Sequence, residues 1–232
     1  MKYREIIELG RHRLMCGDVT SREDVMRLIG NDTVNLVLTD PPYGVRSVSR
    51  KTGQIGSQSK IYHECIGDWD KFMFQDAWKN IRSVSNGFVI WGGQNFTDIL
   101  PPTSGWLFWD KQKNTERLSF GDGELAWSNV STKIRKYNHK WNGFTRDGNK
   151  ELNERVHPNQ KPVELHMKIL EDFSKPDDVI LDCFGGSETT LIACEMTGRK
   201  CLMMEISPEY CNIIKERYTK LTEGMINFAS CN

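Results

Sequence analysis

The chain has 232 residues, with 31 lysines and arginines against 31 aspartates and glutamates, and a formal net charge of zero points to no particular partner. That length, 38% of it hydrophobic, suits one unit over 1–232 that buries a full sheet with helices on both faces. Seven scattered cysteines without a Cys-x-x-Cys pair argue against a disulfide framework or structural zinc, and the charged N-terminus and lack of a membrane-length apolar run imply a cytoplasmic chain with no membrane partner.

In chain order, a short strand around Arg13–Cys16 ends at Gly17-Asp18, and a helix runs from about Ser21 to Ile29. Residues 34–39 form an apolar run of strand length that empties into Asp40-Pro41-Pro42-Tyr43-Gly44. Pro41 confines Asp40 to extended backbone, and the two prolines offer no N–H to nearby carbonyls. A carboxylate, carbonyl acceptors and a ring are thus held with little freedom left to lose on binding. That suits a flat molecule with an exocyclic amino group, whose hydrogens the acceptors take while Tyr43 covers its face. The same residues also read as an ordinary turn after a strand.

Residues 44–63 are rich in Gly, Ser, Gln and Lys without periodicity, the pattern of a functional or disordered loop. A helix near Phe72–Ser83 feeds a strand at 87–91, and strand-like runs follow at 105–109 and 124–128. Phe120, Trp127, Tyr137 and Trp141 read as packing residues. Pro162 is placed to start a helix through Phe173, which Lys175-Pro176 stops. Strand Val179–Asp182 meets the turn Cys183-Phe184-Gly185-Gly186-Ser187, a helix spans about Glu188 to Gly198, and strand Lys200–Met204 ends in Glu205. Ser207-Pro208 caps a last helix through about Leu221, with Tyr210, Ile214 and Leu221 toward the sheet.

Strands alternating with helices predict an α/β fold, a doubly wound, mostly parallel sheet with helices on both faces. Ligands of such sheets bind outside the carboxyl ends of the strands, where Asp18, Asp40, the 183–187 turn and Glu205 all fall. Glu205 lies nineteen residues after Gly186, the spacing at which an acid accepts hydrogen bonds from ribose hydroxyls. No full Gly-x-Gly-x-x-Gly and no phosphate-loop lysine motif is present, and Asp18, Asp40 and Asp182 would repel phosphates while tolerating a sulfonium cation. S-adenosylmethionine fits that pattern better than NAD or ATP, and no metal is needed.

Charge is unevenly spread. Residues 46–60 carry Arg46, Arg50, Lys51 and Lys60 with no acid, and 133–161 carry eight lysines and arginines against three acids. Two basic segments in a neutral chain suggest a face toward nucleic acid, with solvated loops as the plain alternative. Lys133, Arg135 and Lys136, with Arg46, Arg50 and Lys51, are the candidates for phosphate contacts.

Asp40-Pro41-Pro42-Tyr43 after a hydrophobic strand resembles the catalytic motif of the S-adenosylmethionine-dependent DNA amino-methyltransferases, which methylate adenine N6 or cytosine N4. His157-Pro158-Asn159-Gln160-Lys161-Pro162 is similar to their segment closing the methionine pocket, and residues 179–187 to their cofactor loop. The order, catalytic turn first and cofactor loop last, resembles the permuted β group. The resemblance implies a Rossmann-like fold, DNA as partner and S-adenosylmethionine as cofactor, in a restriction-modification setting whose restriction partner stays unknown. It assigns catalysis to Asp40, Pro41, Pro42 and Tyr43. It assigns cofactor binding to Asp18 (adenine amino group), Phe184, Gly185, Gly186, Ser187, Gln160 and Lys161, beside Asp182 and Glu205. Asp18 as a turn residue and Lys161 as a surface charge are the plain alternatives. The Asp-Pro-Pro-Tyr form leans toward adenine. The family loop continues Gly-Ser-Gly-Thr-Thr, whereas Glu188 stands at its third position here: the macrodipole favours an acid at a helix start, the benign reading, and the other expectation is that it crowds or repels the methionine carboxylate and weakens cofactor affinity. A short segment at about 133–156 leaves little room for a recognition domain, so either specificity is relaxed and short, or the 44–63 loop or the second subunit of a homodimer supplies it. Rival readings are N4-cytosine methylation, a protein or ribosomal-RNA methyltransferase, and a DNA-binding relative with weakened cofactor binding.

Overall fold

Alternation along each strand decides which side of the sheet every residue faces. The structure, a computed structural model, describes residues 1–42, 69–111, 122–142, 145–146, 160–186 and 188–229. The elements in chain order are β1 (Ile6–Leu9), β2 (His12–Cys16), α1 (Arg22–Ile29), β3 (Leu36–Thr39), α2 (Trp69–Ile81) and β4 (Phe88–Trp91). After a short 3₁₀ turn (Gly93–Phe96) come β5 (Gly105–Asp110), β6 (Gly123–Ser128), β7 (Arg135–Asn138), β8 (Trp141–Asn142) and β9 (Thr145–Arg146). The chain continues with α3 (Val163–Phe173), β10 (Val179–Asp182), α4 (Thr189–Thr197), β11 (Lys200–Glu205) and α5 (Pro208–Ala229).

Nine of the described strands form one sheet in the order β1-β2-β11-β10-β3-β4-β6-β5-β7. Strands β2, β11, β10, β3 and β4 run parallel, and only β1 and β6 run against their neighbours. Leu14, Leu36, Leu38, Val89, Ile180, Cys201 and Met203 face α3, α4 and α5, while Met15, Val37, Ile90, Leu181, Leu202 and Met204 face α1 and α2. Central strands buried on both faces read as continuous apolar runs, as β3 does. The expected doubly wound sheet is therefore present.

Strand order puts the switch point between β10 and β3. From β10 the chain crosses through α4 to β11 on one side, and from β3 through α2 to β4 on the other, so the two connections part over adjacent strands. Register pairs Ile180 with Leu36 and Leu181 with Val37.

Boundaries follow local chemistry. Ser21 caps α1 by accepting from the Asp24 N–H at 3.3 Å, and Gly198 ends α4 with φ of 71°. Three features differ from expectation. Strand β1 pairs back on β2 through a two-residue turn at Gly10-Arg11, in which Gly10 has φ of 58°. Strand β7, reading Arg-Lys-Tyr-Asn, is an edge strand whose one buried side chain, Tyr137, carries no visible alternation. Helix α5 continues to Ala229 instead of stopping near Leu221. Its buried face is Cys211, Ile214 and Tyr218, with Tyr210 half-buried. No helix among the described residues is long and apolar enough to cross a membrane.

Candidate active site

The carboxyl ends of β2, β11, β10 and β3 gather the acids marked in the sequence. Gly17, just past β2, donates its N–H to the Glu205 carbonyl at 3.0 Å, so Asp18 stands beside the end of β11. Asp18 Oδ1 accepts from both the N–H and the hydroxyl of Thr20 at 2.8 Å, which holds the turn into α1. Glu205 is buried, and its two oxygens accept the N–H groups of Gly186 (2.9 Å) and Ser207 (2.8 Å). Burial pushes its carboxyl up, against those two N–H groups. Gly185 runs so close to β11 that a Cβ there would lie 2.9 Å from Met203 Cγ, and its N–H donates to the Met204 carbonyl at 2.8 Å. Phe184 is half-buried at this turn, and Ile206, directly after Glu205, is 62% exposed.

One strand over, Thr39 donates its hydroxyl to Asp182 Oδ1 at 2.7 Å, and Phe184 donates its N–H to the same oxygen at 3.1 Å. Burial raises the Asp182 carboxyl in spite of hydroxyl donors from Thr190 and Thr39. Thr190 is also bonded to His166 Nδ1 at 3.2 Å, and Trp91 Nε1–H donates to His166 Nε2 at 3.1 Å. An accepting Nε2 assigns the ring proton to Nδ1. Burial, helped by the Lys161 charge, lowers the His166 pKa to about 3, so this ring is neutral at ordinary pH. A connected line of hydrogen bonds thus ties β4, α3, α4, β10 and β3 beneath the cleft.

Asp40 follows β3 and sits at the centre of the charge. Its Oδ2 is paired with the Lys161 ammonium, which lies 3.3 Å from Glu124 Oε2 and 5.1 Å from the centroid of the Trp91 ring. The Lys161 side chain is only 4% exposed, so it is a buried cation and not a surface charge. Glu124 Oε1 pairs with Lys111 at 2.5 Å, and Lys111 lies 4.7 Å over the Trp109 ring. Burial pushes the Asp40 carboxyl above its ordinary range, and Lys161 counters this only in part. For Glu124 the balance is opposite: burial raises it, but two ammonium groups outweigh burial and hold it at about 2. Asp40 Oδ1 is buried and has no hydrogen-bond partner among the described residues. An acceptor left bare in such a place is a docking point for a donor. Thr189 Oγ1 donates to the Lys161 carbonyl at 3.1 Å, so the segment holding buried Gln160 and Lys161 is tied to the helix after the cofactor loop.

Glu188, the departure in the loop, has φ of 54° and a fully buried side chain ion-paired with Arg217 of α5. Burial pushes its carboxyl far up, against Arg217. Its carboxyl is thus turned toward Arg217 of α5 within the protein.

The remaining candidates separate. Arg135 opens β7 and Lys133 stands two residues before it; β7 runs parallel to β5, so both stand at the amino end of the sheet, opposite Asp40. Arg135 packs over the Phe173 ring at 5.8 Å. Lys136 reaches Asp110 at 2.7 Å, toward the carboxyl end. Tyr43, Arg46, Arg50, Lys51, His157 and Ser187 lie outside the described residues. Trp127 and Tyr137 are core residues, as expected. Glu124, Lys111, His166 and Thr39 were not singled out from the sequence; only partners far along the chain give them meaning.

S-adenosylmethionine fits the donor set gathered here: a buried acid at the end of β11, a glycine turn without a phosphate-loop lysine, and carboxylates that suit a cationic ligand. A switch-point cleft of this kind belongs to the Rossmann-like α/β fold, here with an Asp-Pro-Pro turn at its edge. The N6_N4_Mtase family model, described as DNA methylase, matches residues 106–216, the half that holds the cofactor loop. The type II methyltransferase M2.MboI of Moraxella bovis is 25% identical over 248 residues, spanning 88% of this chain and 87% of its own. The M1.HpyAVI–SAM complex superposes with a TM-score of 0.57 at 20% identity, over 88% of this chain and 97% of that one. The cytosine-N4-specific PvuII DNA methyltransferase gives 0.51 at 17% identity, over 92% of each chain. In motifs, family match and fold, the chain resembles the S-adenosylmethionine-dependent DNA amino-methyltransferases.

Proposed function

We propose that the protein transfers a methyl group from S-adenosylmethionine to the exocyclic N6 of adenine in DNA. The observation that carries this reading is the pairing of β3 with β10, which brings Asp40, with its bare Oδ1, beside the glycine turn of the cofactor crevice. The crevice would hold the cofactor by Glu205, Asp18, Phe184 and the 185–187 turn, with Gln160 and Lys161 closing it. When bound, the cofactor supplies an electrophilic methyl group, whose bonding pair to sulfur stays on sulfur as the amino nitrogen takes the methyl.

The residues of this chain set the nitrogen up for that displacement. Asp40 Oδ1 and the Pro41 carbonyl accept the two amino hydrogens, drawing the nitrogen lone pair out of conjugation with the ring. Tyr43 stacks on the base. Asp40 stabilises the positive charge that grows on nitrogen and faces the proton it then sheds, and the rigid turn supplies orientation. A paired base hides its amino group, so the target must be unstacked to reach this turn. Phosphate contacts are placed on Arg46, Arg50 and Lys51, which follow the turn directly. Of Lys133, Arg135 and Lys136, Lys136 is the one that reaches toward the same sheet end.

Asp40→Ala should abolish methyl transfer to DNA while leaving S-adenosylmethionine binding within about threefold by calorimetry. Retained turnover would remove Asp40 from the reaction. Nucleoside analysis of the methylated DNA separates the bases: N6-methyladenine is expected, and N4-methylcytosine would replace adenine as the target.

A further inference from the structure

Glu124 stands outside the residues that the motifs assign, yet it is the second carboxylate on the ammonium that touches Asp40. Lys161 is held by Asp40 Oδ2 and by Glu124 Oε2 at 3.3 Å, and Glu124 Oε1 is held in turn by Lys111 at 2.5 Å. The chain of charges runs Asp40, Lys161, Glu124, Lys111, through groups that are largely buried. Trp91 and Trp109 lie under the two ammonium groups at 5.1 and 4.7 Å and fix their positions. Asp40 Oδ1 remains open for a donor.

We propose that Glu124 is a positioning residue for methyl transfer: it shares the Lys161 ammonium with Asp40, so that Asp40 keeps an open, strongly accepting oxygen toward the target amino group. The inference rests on the assignment of Asp40 to the reaction. A lysine paired with Asp40 alone would draw off the negative charge the nitrogen needs. A lysine drawn wholly to Glu124 would leave Asp40 protonated over more of the pH range. Lys111 sets the balance by taking the other oxygen of Glu124. Among the described residues, the charged groups that face Asp40 are Lys161 from the segment before α3, Glu124 from β6 and Asp182 from β10, and the last two both push its carboxyl up.

The two neighbours predict opposite signs. Removing the Glu124 charge lowers the Asp40 pKa, and removing the Lys111 charge raises it. In the full-length protein with S-adenosylmethionine and DNA, Glu124→Gln should lower kcat by roughly three- to tenfold and move the acid limb of kcat down by about half a pH unit or more. Lys111→Met should move that limb up by a similar amount. Cofactor affinity, read by calorimetry, should change less than about threefold in both. If Glu124→Gln fails to fold, the upward shift in Lys111→Met is the deciding measurement. Acid limbs that superimpose on the parent, or that move the same way in both variants, would overturn the inference while Asp40 kept its role. A parent protein that methylates no DNA would overturn the assigned reaction and the inference together.

Discussion

At the scale of single residues, Glu188 shows how this chain tolerates a locally unfavourable letter. Its φ of 54° lies in the left-handed region, where a side chain costs about 1–2 kcal/mol relative to glycine. The carboxylate is fully buried against Arg217, whose side chain is 13% exposed. Without Arg217 the buried carboxyl loses its partner and takes up a proton, leaving an unsatisfied polar group at a cost of about 1–3 kcal/mol. Arg217→Met should therefore lower unfolding stability by roughly that amount in urea titrations, and adding Glu188→Gly should restore most of it. Glu188→Gly alone should leave the S-adenosylmethionine dissociation constant within about threefold in calorimetry. A much tighter complex would mean that the carboxylate does reach the methionine end.

At the scale of elements, the site stands on a polar line through the sheet, and that line has a pH signature. Trp91 on β4, His166 on α3, Thr190 on α4 and Asp182 on β10 are joined by hydrogen bonds. The His166 pKa is held at about 3 in the folded chain, against 6.5 for the ordinary group. Between those values the unfolded state binds a proton that the native state refuses, so stability falls as pH drops below 6.5. The slope approaches about 1.4 kcal/mol per pH unit for one such histidine. His12, buried on Glu195 with its pKa also lowered by burial, adds in the same direction. Because the raised carboxyls of Asp40, Asp182, Glu188 and Glu205 act in the opposite direction, denaturant titrations from pH 7 to pH 4 isolate this loss as the difference between the parent and His166→Gln. His166→Gln should remove close to one proton's share of the slope, although the variant starts less stable at pH 7.

For the whole molecule, the consequence of the strand order is that one cleft serves both halves of the proposed reaction. Asp40 is reached from β3, the glycine turn from β10 and Glu205 from β11, three consecutive strands of the sheet. A ligand bound only by the native cleft stabilises the entire fold by linkage. S-adenosylmethionine at a hundredfold its dissociation constant should add about 2.7 kcal/mol to unfolding. The shift should be nearly as large in Asp40→Ala, because that change removes the acceptor and leaves the cofactor residues in place. A thermal shift lost in Asp40→Ala would mean that Asp40 holds the cofactor.

What the chain declares by itself is local. Apolar runs of strand length, Ser21 before a helix, Pro162 at another, and glycines at 185, 186 and 198 mark elements because backbone preferences act over a few residues. The motifs likewise place Asp40, the glycine turn and Glu205 at strand ends. Folding in three dimensions decided what no local pattern carries. The Thr39–Asp182 bond spans 143 residues and the Lys161–Asp40 pair 121. Lys161 reads as a surface charge or a cofactor contact until β6 supplies Glu124 and β3 supplies Asp40. Basic residues at 133 and 135 look equivalent to those near the Asp40 turn until parallel pairing puts them at the far end of the sheet. Charge and burial act through space, so the meaning of an ionisable residue is set by neighbours that only the packed sheet brings within reach.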